Sequence, residues 1–150
     1  MVRRVVIVAL RLPGAALTVA MGWIHLDLWQ TGYRDIPVIG MLFLLNVIGS
    51  GVLALALLVV SRRVVGPVAA LGTVFAAGTL AALVVSLTVG LFGFREVAGG
   101  PWVTATVIVE TAATVVLAAL AMLTRPHPRQ RSRWSRHGYR TRRQPERPSR

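Results

Sequence analysis

The stretch GPVAALGTVFAAGTLAALVVSLTVG, residues 66–90, decides the fold of this chain. It carries no charged side chain, and it is longer than the roughly 20 helical residues that cross a hydrocarbon core of about 30 Å. The stretch therefore predicts a transmembrane helix at about 66–91.

Small residues recur along this segment at the spacing of about one helical turn: Gly72/Ala76, Ala77/Ala81 and Gly78/Ala82. Such residues permit the close approach of another helix backbone. We therefore expect this helix to be either a central packing element or an oligomer face.

Three further apolar runs lie at about 11–31, 37–60 and 101–123. The chain of 150 residues is 55% hydrophobic with a net charge of +12, so its charges are segregated from the apolar bulk, as in integral membrane proteins. Because the loops are short, we expect all sequential helices to be antiparallel neighbours. The chain should then form an all-α, up-down-up-down four-helix transmembrane bundle at residues 1–124. Pro13 should lie near the start of the first helix, where its missing N–H costs little. A cleaved signal peptide is the less favoured alternative, because the first run exceeds a typical h-region.

The placement of arginines predicts the orientation of the bundle. Arginines flank the spans on the side of the termini, whereas only Arg34 and Arg95 occupy the opposite loops. The positive-inside rule thus predicts a multi-pass protein of the cell (plasma) membrane with both termini in the cytoplasm. Aromatic residues at the opposite helix ends fit an outer interfacial belt: Trp29, Tyr33, Phe92, Phe94 and Trp102.

The two outer loops contain similar pentapeptides, GYRDI at 32–36 and GFREV at 93–97. Their positions favour two parallel hairpin repeats, and the alternative is a chance similarity of interfacial loops. In each copy, we expect the arginine and the acid to offset each other's charge or to pair across the hairpins. The pairs are Arg34 with Asp35 and Arg95 with Glu96. We favour an interfacial turn over a binding loop, because exposed ion pairs are common and weak.

Three polar residues inside the spans are the candidates for chemistry. Glu110 and Asn46 lie about 14 Å from the outer helix ends and His25 about 9 Å. An ionisable group in hydrocarbon is costly, so Glu110 should face the bundle interior and be protonated unless paired. The repeat aligns Glu110 with Gly49, so its carboxyl group is expected to point into the space beside that glycine, within reach of Asn46. We favour a structural interhelical hydrogen bond here over a functional site.

Other chemistries find little support in the sequence. The chain has no cysteine, and a bis-histidine haem would need a second intramembrane histidine, whereas His127 and His137 follow the last span. Met21, Met41 and His25 suggest a copper(I) site, although methionine at helical spacing is more often packing. Because no phosphate-binding loop, His-Glu-x-x-His motif or Ser-His-Asp set is present, we predict a non-enzyme with no cofactor and no metal.

The segment after the fourth span, residues 125–150, contains ten arginines and one acid. Without apolar periodicity it cannot bury a core, so we predict a disordered, Arg-rich cytoplasmic tail. Such a tail is attracted to anionic lipid headgroups by about 1 kcal/mol per basic residue. Nucleic acid is the alternative, since Trp134 and Tyr139 could stack on bases, but we expect none because a tethered tail meets lipid first.

Four motifs give the chain a resemblance to a known group of proteins. They are His-Leu-x-Leu at 25–28, Gly-Tyr-Arg-x-Ile-Pro at 32–37, Gly-x-Leu-Phe-Leu-Leu-Asn at 40–46 and Gly-Phe-x-Glu at 93–96. With the intramembrane Glu110, residues 20–125 resemble small four-helix integral membrane proteins of actinobacteria. The resemblance implies the fold and the host group, and it implies no activity.

These features predict a non-catalytic structural or accessory subunit that associates through small-residue helix faces and its basic tail. Its partner would be a second copy or another membrane protein. The alternative is a protein that transports a proton, an ion or a small solute and uses Glu110, Asn46 and His25.

Overall fold

The computed structural model describes residues 2–100 and 102–125 of the chain. These residues form four α-helices in chain order: α1 (Val2–Thr31), α2 (Ile39–Val59), α3 (Val65–Thr88) and α4 (Val103–Thr124). A 3-10 turn at Tyr33–Asp35 precedes α2, and the described part of the chain contains no strand. Each helix is long and apolar enough to cross a membrane, which confirms the prediction of an all-α membrane protein with four spans. Apart from Arg125, the predicted tail lies outside the described residues.

The first helix begins earlier than the apolar run suggests. It starts at Val2, so Pro13 lies well inside the helix. The prediction that Pro13 lies near the helix start is therefore wrong. The early start is favoured because Ile7 is buried against the core and Leu10 packs beside it. The missing N–H of Pro13 leaves the carbonyl of Ala9 without its helical partner, an arrangement that membrane helices tolerate. The other helix ends lie within a few residues of the predicted ones.

Because the helices alternate in direction, the bundle has two ends. The terminal end comprises the start of α1, the loop at 60–64 and the end of α4. The loop end comprises the two longer loops, at 32–38 and 89–102. These names are used below.

The two central helices are α1 and α4. Extensive contacts join α1 to α2, α3 to α4 and α1 to α4, whereas α2 and α3 touch at few points. The prediction that all sequential helices are close neighbours is therefore wrong for α2 and α3, and α3 is not a central element. Its residues Gly72 and Ala76 are buried, but Gly78 and Ala81 are exposed.

The hydrophobic core fills the terminal end and the middle of the bundle. Near the terminal end, Leu57, Leu117 and Leu120 are almost fully buried together. Arg11 closes this end, because its side chain donates hydrogen bonds to the carbonyls of Leu57 and Val60. Those carbonyls belong to the end of α2, where no helical N–H can reach them.

The two hairpins, α1–α2 and α3–α4, run in the same direction but do not pack symmetrically. A two-fold axis between them would make the α1–α4 contact equivalent to the α3–α2 contact, and only the first is extensive. The two pentapeptides also differ in backbone conformation. Residues 33–35 form the 3-10 turn. The second copy begins inside a tight turn that is closed by the bridge between Leu91 and Phe94, with φ of 79° at Gly93.

Candidate functional site

A cavity of about 110 Å³ lies at the loop end, where α2 and α3 separate. All four helices contribute polar side chains to its lining: His25, Asn46, Thr79, Ser86, Thr106 and Glu110. The structure therefore brings together all three intramembrane residues that the sequence singled out. Toward the terminal end, the apolar cluster of Met21, Ala76 and Ala113 lies in the middle of the bundle.

Glu110 is the most deeply buried acid in the described part of the chain. Only 1% of the residue is exposed, and neither carboxyl oxygen has a hydrogen-bond partner among the described residues. Its Oε1 lies 3.8 Å from Nε2 of His25, beyond hydrogen-bond length. The hydroxyl of Thr79 lies near the carboxyl group of Glu110, but it donates to the carbonyl of Phe75 in its own helix, at 2.9 Å. The expectation that Glu110 faces the interior is borne out by this geometry.

His25 presents one defined ring nitrogen to Glu110. Its Nδ1 lies 2.9 Å from the carbonyl of Met21, and because a carbonyl only accepts, Nδ1 carries the proton. In the neutral ring, Nε2 then has a free lone pair, and this nitrogen faces the carboxyl group. A carboxyl group and an acceptor nitrogen exchange a proton within hydrogen-bond reach or through one water, so at 3.8 Å the transfer requires a bridging water or a small approach of the two side chains.

Asn46 is anchored at one end of its amide only. Its Oδ1 accepts a hydrogen bond of 3.1 Å from the hydroxyl of Ser50, one turn along α2. Its Nδ2 is buried and has no partner among the described residues. A cavity of this size has room for several water molecules, which could bond to these unpartnered groups.

The expected position of Glu110 beside Gly49 is wrong. The ring of Phe75 covers Gly49, since a Cβ atom there would lie 2.8 Å from its Cζ. The physical reason is the asymmetric packing, which places α3 and not α4 against this part of α2. Glu110 and Asn46 instead line one cavity on the side of the loop end.

A contact between the two loops forms part of the cavity wall at the loop end. The hydroxyl of Tyr33 donates a hydrogen bond of 2.7 Å to Oε2 of Glu96. The backbone N–H of Glu96 bonds in turn to Ser86, at 3.1 Å to its carbonyl and 3.2 Å to its hydroxyl. Burial, followed by the nearby Glu96 carboxylate, raises the pKa of Tyr33 above its ordinary value.

Aromatic rings surround this contact. Tyr33 stacks on Phe43 with ring centroids 4.8 Å apart and meets the edge of Phe94 at 5.6 Å. Phe43 also lies 5.0 Å from the ring of His25, so the aromatic group reaches from the loop end to the buried pair. Trp102 completes the lining at the start of α4.

The predicted loop ion pairs are only partly present. Arg34 and Asp35 do pair, at 3.4 Å, but both side chains are exposed and the pair contributes little. Glu96 bonds across the hairpins to Tyr33 and not to Arg95, which has no ion pair among the described residues. Because Phe94 and Glu96 line the cavity, the second pentapeptide is more than an interfacial turn.

Sequence reasoning missed several residues of this site. Tyr33, Phe94 and Trp102 were interpreted as interfacial anchors, and no local signal distinguishes an anchor from a cavity wall. Phe43 could have been found, because it lies three residues before Asn46 on the same helical face. Thr79 carries no signal, since threonines that bond back to their own helix are common.

The described residues contain no group of three or more His, Asp or Glu side chains able to hold a metal ion. The copper(I) arrangement is not formed, because Met41 is 63% exposed on the outer face of α2. His127 and His137 lie outside the described residues.

No family model matches this chain, and neither the curated proteins nor the solved structures compared with it gave a match.

Proposed function

We propose that this multi-pass membrane protein moves a proton or a small solute, using the cavity lined by Glu110, His25 and Asn46. The proposal includes a location in the plasma membrane, cytoplasmic termini and no enzymatic activity. We favour transport over the accessory-subunit function because of the state of the buried polar groups.

The observation that carries the proposal is the set of unpartnered polar atoms at the cavity. Both carboxyl oxygens of Glu110 and Nδ2 of Asn46 are buried without a partner in the described structure. A structural interhelical hydrogen bond would have satisfied them, and leaving a buried polar group unpaired costs about 1–3 kcal/mol. Ionisable groups retained at such depth are characteristic of proton and substrate pathways.

The geometry also suggests how access is controlled. The cavity reaches the loop end, where the bonded pair of Tyr33 and Glu96 lines it, while apolar side chains fill the bundle toward the terminal end. In this conformation the site is closed to the terminal end. Transport then requires a second conformation in which the apolar half opens, as alternating access demands.

The test is a flux assay on the full chain in proteoliposomes. We expect a pH gradient to drive uptake or proton movement that Glu110→Gln abolishes, since glutamine keeps the shape and removes the titratable proton. Thr111→Val is the matched control, because Thr111 is the next residue on α4 and is exposed. Equal flux in wild type and Glu110→Gln would reject the proposal.

The accessory-subunit function remains a second candidate, favoured by one observation on α3. Gly78 is exposed and a Cβ atom added there would meet nothing within 4 Å, so another helix could approach closely. A Gly78→Cys variant would form a disulfide between copies if this face is an oligomer interface, whereas Thr111→Cys on α4 would not. Co-purification of one stoichiometric partner protein, without flux, would favour this candidate.

The resemblance to actinobacterial four-helix proteins, the attraction of the tail to anionic lipid and the absence of nucleic acid as a partner stay predictions.

A further inference from the structure

We infer that the cavity binds a small primary ammonium cation, held by Glu110 and His25 at its base and by aromatic rings at the loop end. This inference rests on the proposed function and names the class of solute. Four observations carry it: the charge of the lining, the arrangement of acceptors, the aromatic rings and the size of the cavity.

The lining of the cavity favours a cation. It includes the carboxyl groups of Glu96 and Glu110, and among the described residues that line it there is no arginine. Glu96 already accepts from Tyr33 and from the N–H of Val97, which leaves Glu110 as the free carboxyl group.

The base of the cavity presents three acceptors and thus matches an ammonium group. Two are the unpartnered oxygens of Glu110, and the third is Nε2 of His25, whose lone pair is free because Nδ1 donates to Met21. A primary ammonium has three N–H donors, as the lysine side chain does. The unpartnered Nδ2 of Asn46 adds a donor, so an ammonium ligand that also carries a hydroxyl group gains one further bond.

The aromatic rings provide the second element of recognition. Tyr33, Phe43, Phe94 and Trp102 line the cavity, and the faces of such rings attract cations within about 6 Å. The cavity volume of about 110 Å³ admits a molecule of only a few non-hydrogen atoms. The cavity is therefore too small for a bulky cation.

A proton and an ammonium cation compete for the same two oxygens of Glu110. The site can therefore exchange one for the other, which links the ligand to the proposed proton handling. The titratable groups around Glu110 are His25 from α1 and, in the loops, Tyr33 and Glu96. The side chains that α2 and α3 contribute, Asn46, Thr79 and Ser86, do not titrate in the relevant range.

The experiment is isothermal titration calorimetry of the purified full chain with ethylammonium chloride. The detergent buffer is sodium phosphate, because many common buffers are themselves primary amines. Potassium chloride controls for ionic strength, ethanol for the apolar part of the ligand, and tetramethylammonium for a cation without N–H donors. We expect saturable binding of ethylammonium alone, weakening as the pH falls.

Two variants and a control test whether ethylammonium binds in this cavity. Glu110→Gln should weaken ethylammonium binding at least about tenfold, because a charged hydrogen-bonding partner is lost. Phe43→Leu should weaken it about threefold by removing one ring. Thr111→Val should bind as wild type does. Should Glu110→Gln fail to fold, the Phe43→Leu variant and the pH dependence of the wild type decide the matter.

The inference is overturned if the wild type shows no saturable ethylammonium binding, or if folded Glu110→Gln binds with unchanged affinity. Unchanged affinity in Phe43→Leu would likewise count against it. Binding of ethylammonium without any flux in proteoliposomes would reject the proposed transport and leave this inference standing. Flux that depends on Glu110 but is insensitive to ethylammonium would support the proposed transport and reject the ammonium ligand.

Discussion

Glu110 combines deep burial with carboxyl oxygens that accept no hydrogen bond from any residue that the structure describes. Burying a polar group without a partner destabilises the fold, and residues that persist in such surroundings often have a role other than stability. His25, 3.8 Å away, faces the carboxyl group with the one ring nitrogen that can take its proton. This arrangement supports the proposed exchange of a proton between the two side chains.

This arrangement predicts that Glu110→Leu stabilises the bundle. Leucine has a similar volume, removes two buried oxygens that have no partner among the described residues, and leaves Thr79 its hydrogen bond to Phe75. We expect the free energy of unfolding in detergent to rise by about 1–3 kcal/mol. Thr111→Leu, on the exposed face one residue along, should change it little. A substantial loss of stability in Glu110→Leu would mean that the carboxyl group has a structural partner.

Tyr33 gives a second prediction at this scale, concerning alkaline pH. Its pKa is raised in the folded protein, first by burial and then by Glu96, above the unfolded value of about 10. The stability that this shift contributes is fully present below about pH 10 and is lost as pH rises through the folded pKa. The melting temperature should therefore fall more steeply above about pH 10 for wild type than for Tyr33→Phe. Parallel curves for the two proteins would contradict the assignment.

At the level of elements, the contact between α1 and α2 depends on a glycine. A Cβ atom on Gly22 would lie 2.8 Å from Cβ of Ser50, and Ser50 also donates to Asn46. Both Cβ atoms are fixed by the helix backbones and cannot move aside as the tip of a flexible side chain could. The two helices would therefore have to move apart.

We expect Gly22→Ala to lower the free energy of unfolding by about 1–3 kcal/mol through overpacking. Gly51→Ala is the matched control, since a Cβ atom there meets nothing within 4 Å and alanine favours the helix. Denaturant unfolding in detergent measures both. The prediction fails if the two substitutions have the same effect.

The separation of α2 from α3 is the element-level feature that creates the site. Phe75 covers Gly49 and keeps the two helices in contact there, whereas Asn46, Thr79 and Ser86 face an open cavity nearer the loop end. The asymmetry is consequently what gives Glu110 a cavity instead of a packed partner.

For the whole molecule, the arrangement of charge predicts which end faces the cytoplasm. The absence of cysteine makes the chain suitable for single-cysteine labelling. Gly99→Cys at the loop end should react with an impermeant reagent applied to intact cells, and Ser61→Cys at the terminal end should not. Both positions are exposed, so access to the reagent depends on the side of the membrane. Labelling of Ser61→Cys from outside would reverse the orientation.

The sequence by itself determined the number of helices, their approximate bounds and the identity of the three intramembrane polar residues. It could do so because crossing a hydrocarbon core requires about 20 apolar residues, and because the cost of burying polar groups makes His25, Asn46 and Glu110 conspicuous. These are local properties, so each can be identified from a short segment of the sequence.

Only the tertiary structure decided which helices touch and what each polar residue faces. Nothing along α3 records that α4 packs against Gly72 while Gly78 stays exposed, because small residues permit an approach without selecting a partner. For the same reason, the repeat pattern aligned Glu110 with Gly49, whereas the folded chain fills that space with Phe75. The cavity, the Tyr33–Glu96 hydrogen bond and the facing nitrogen of His25 arise from contacts between residues distant in the chain, and no periodicity in the sequence encodes them.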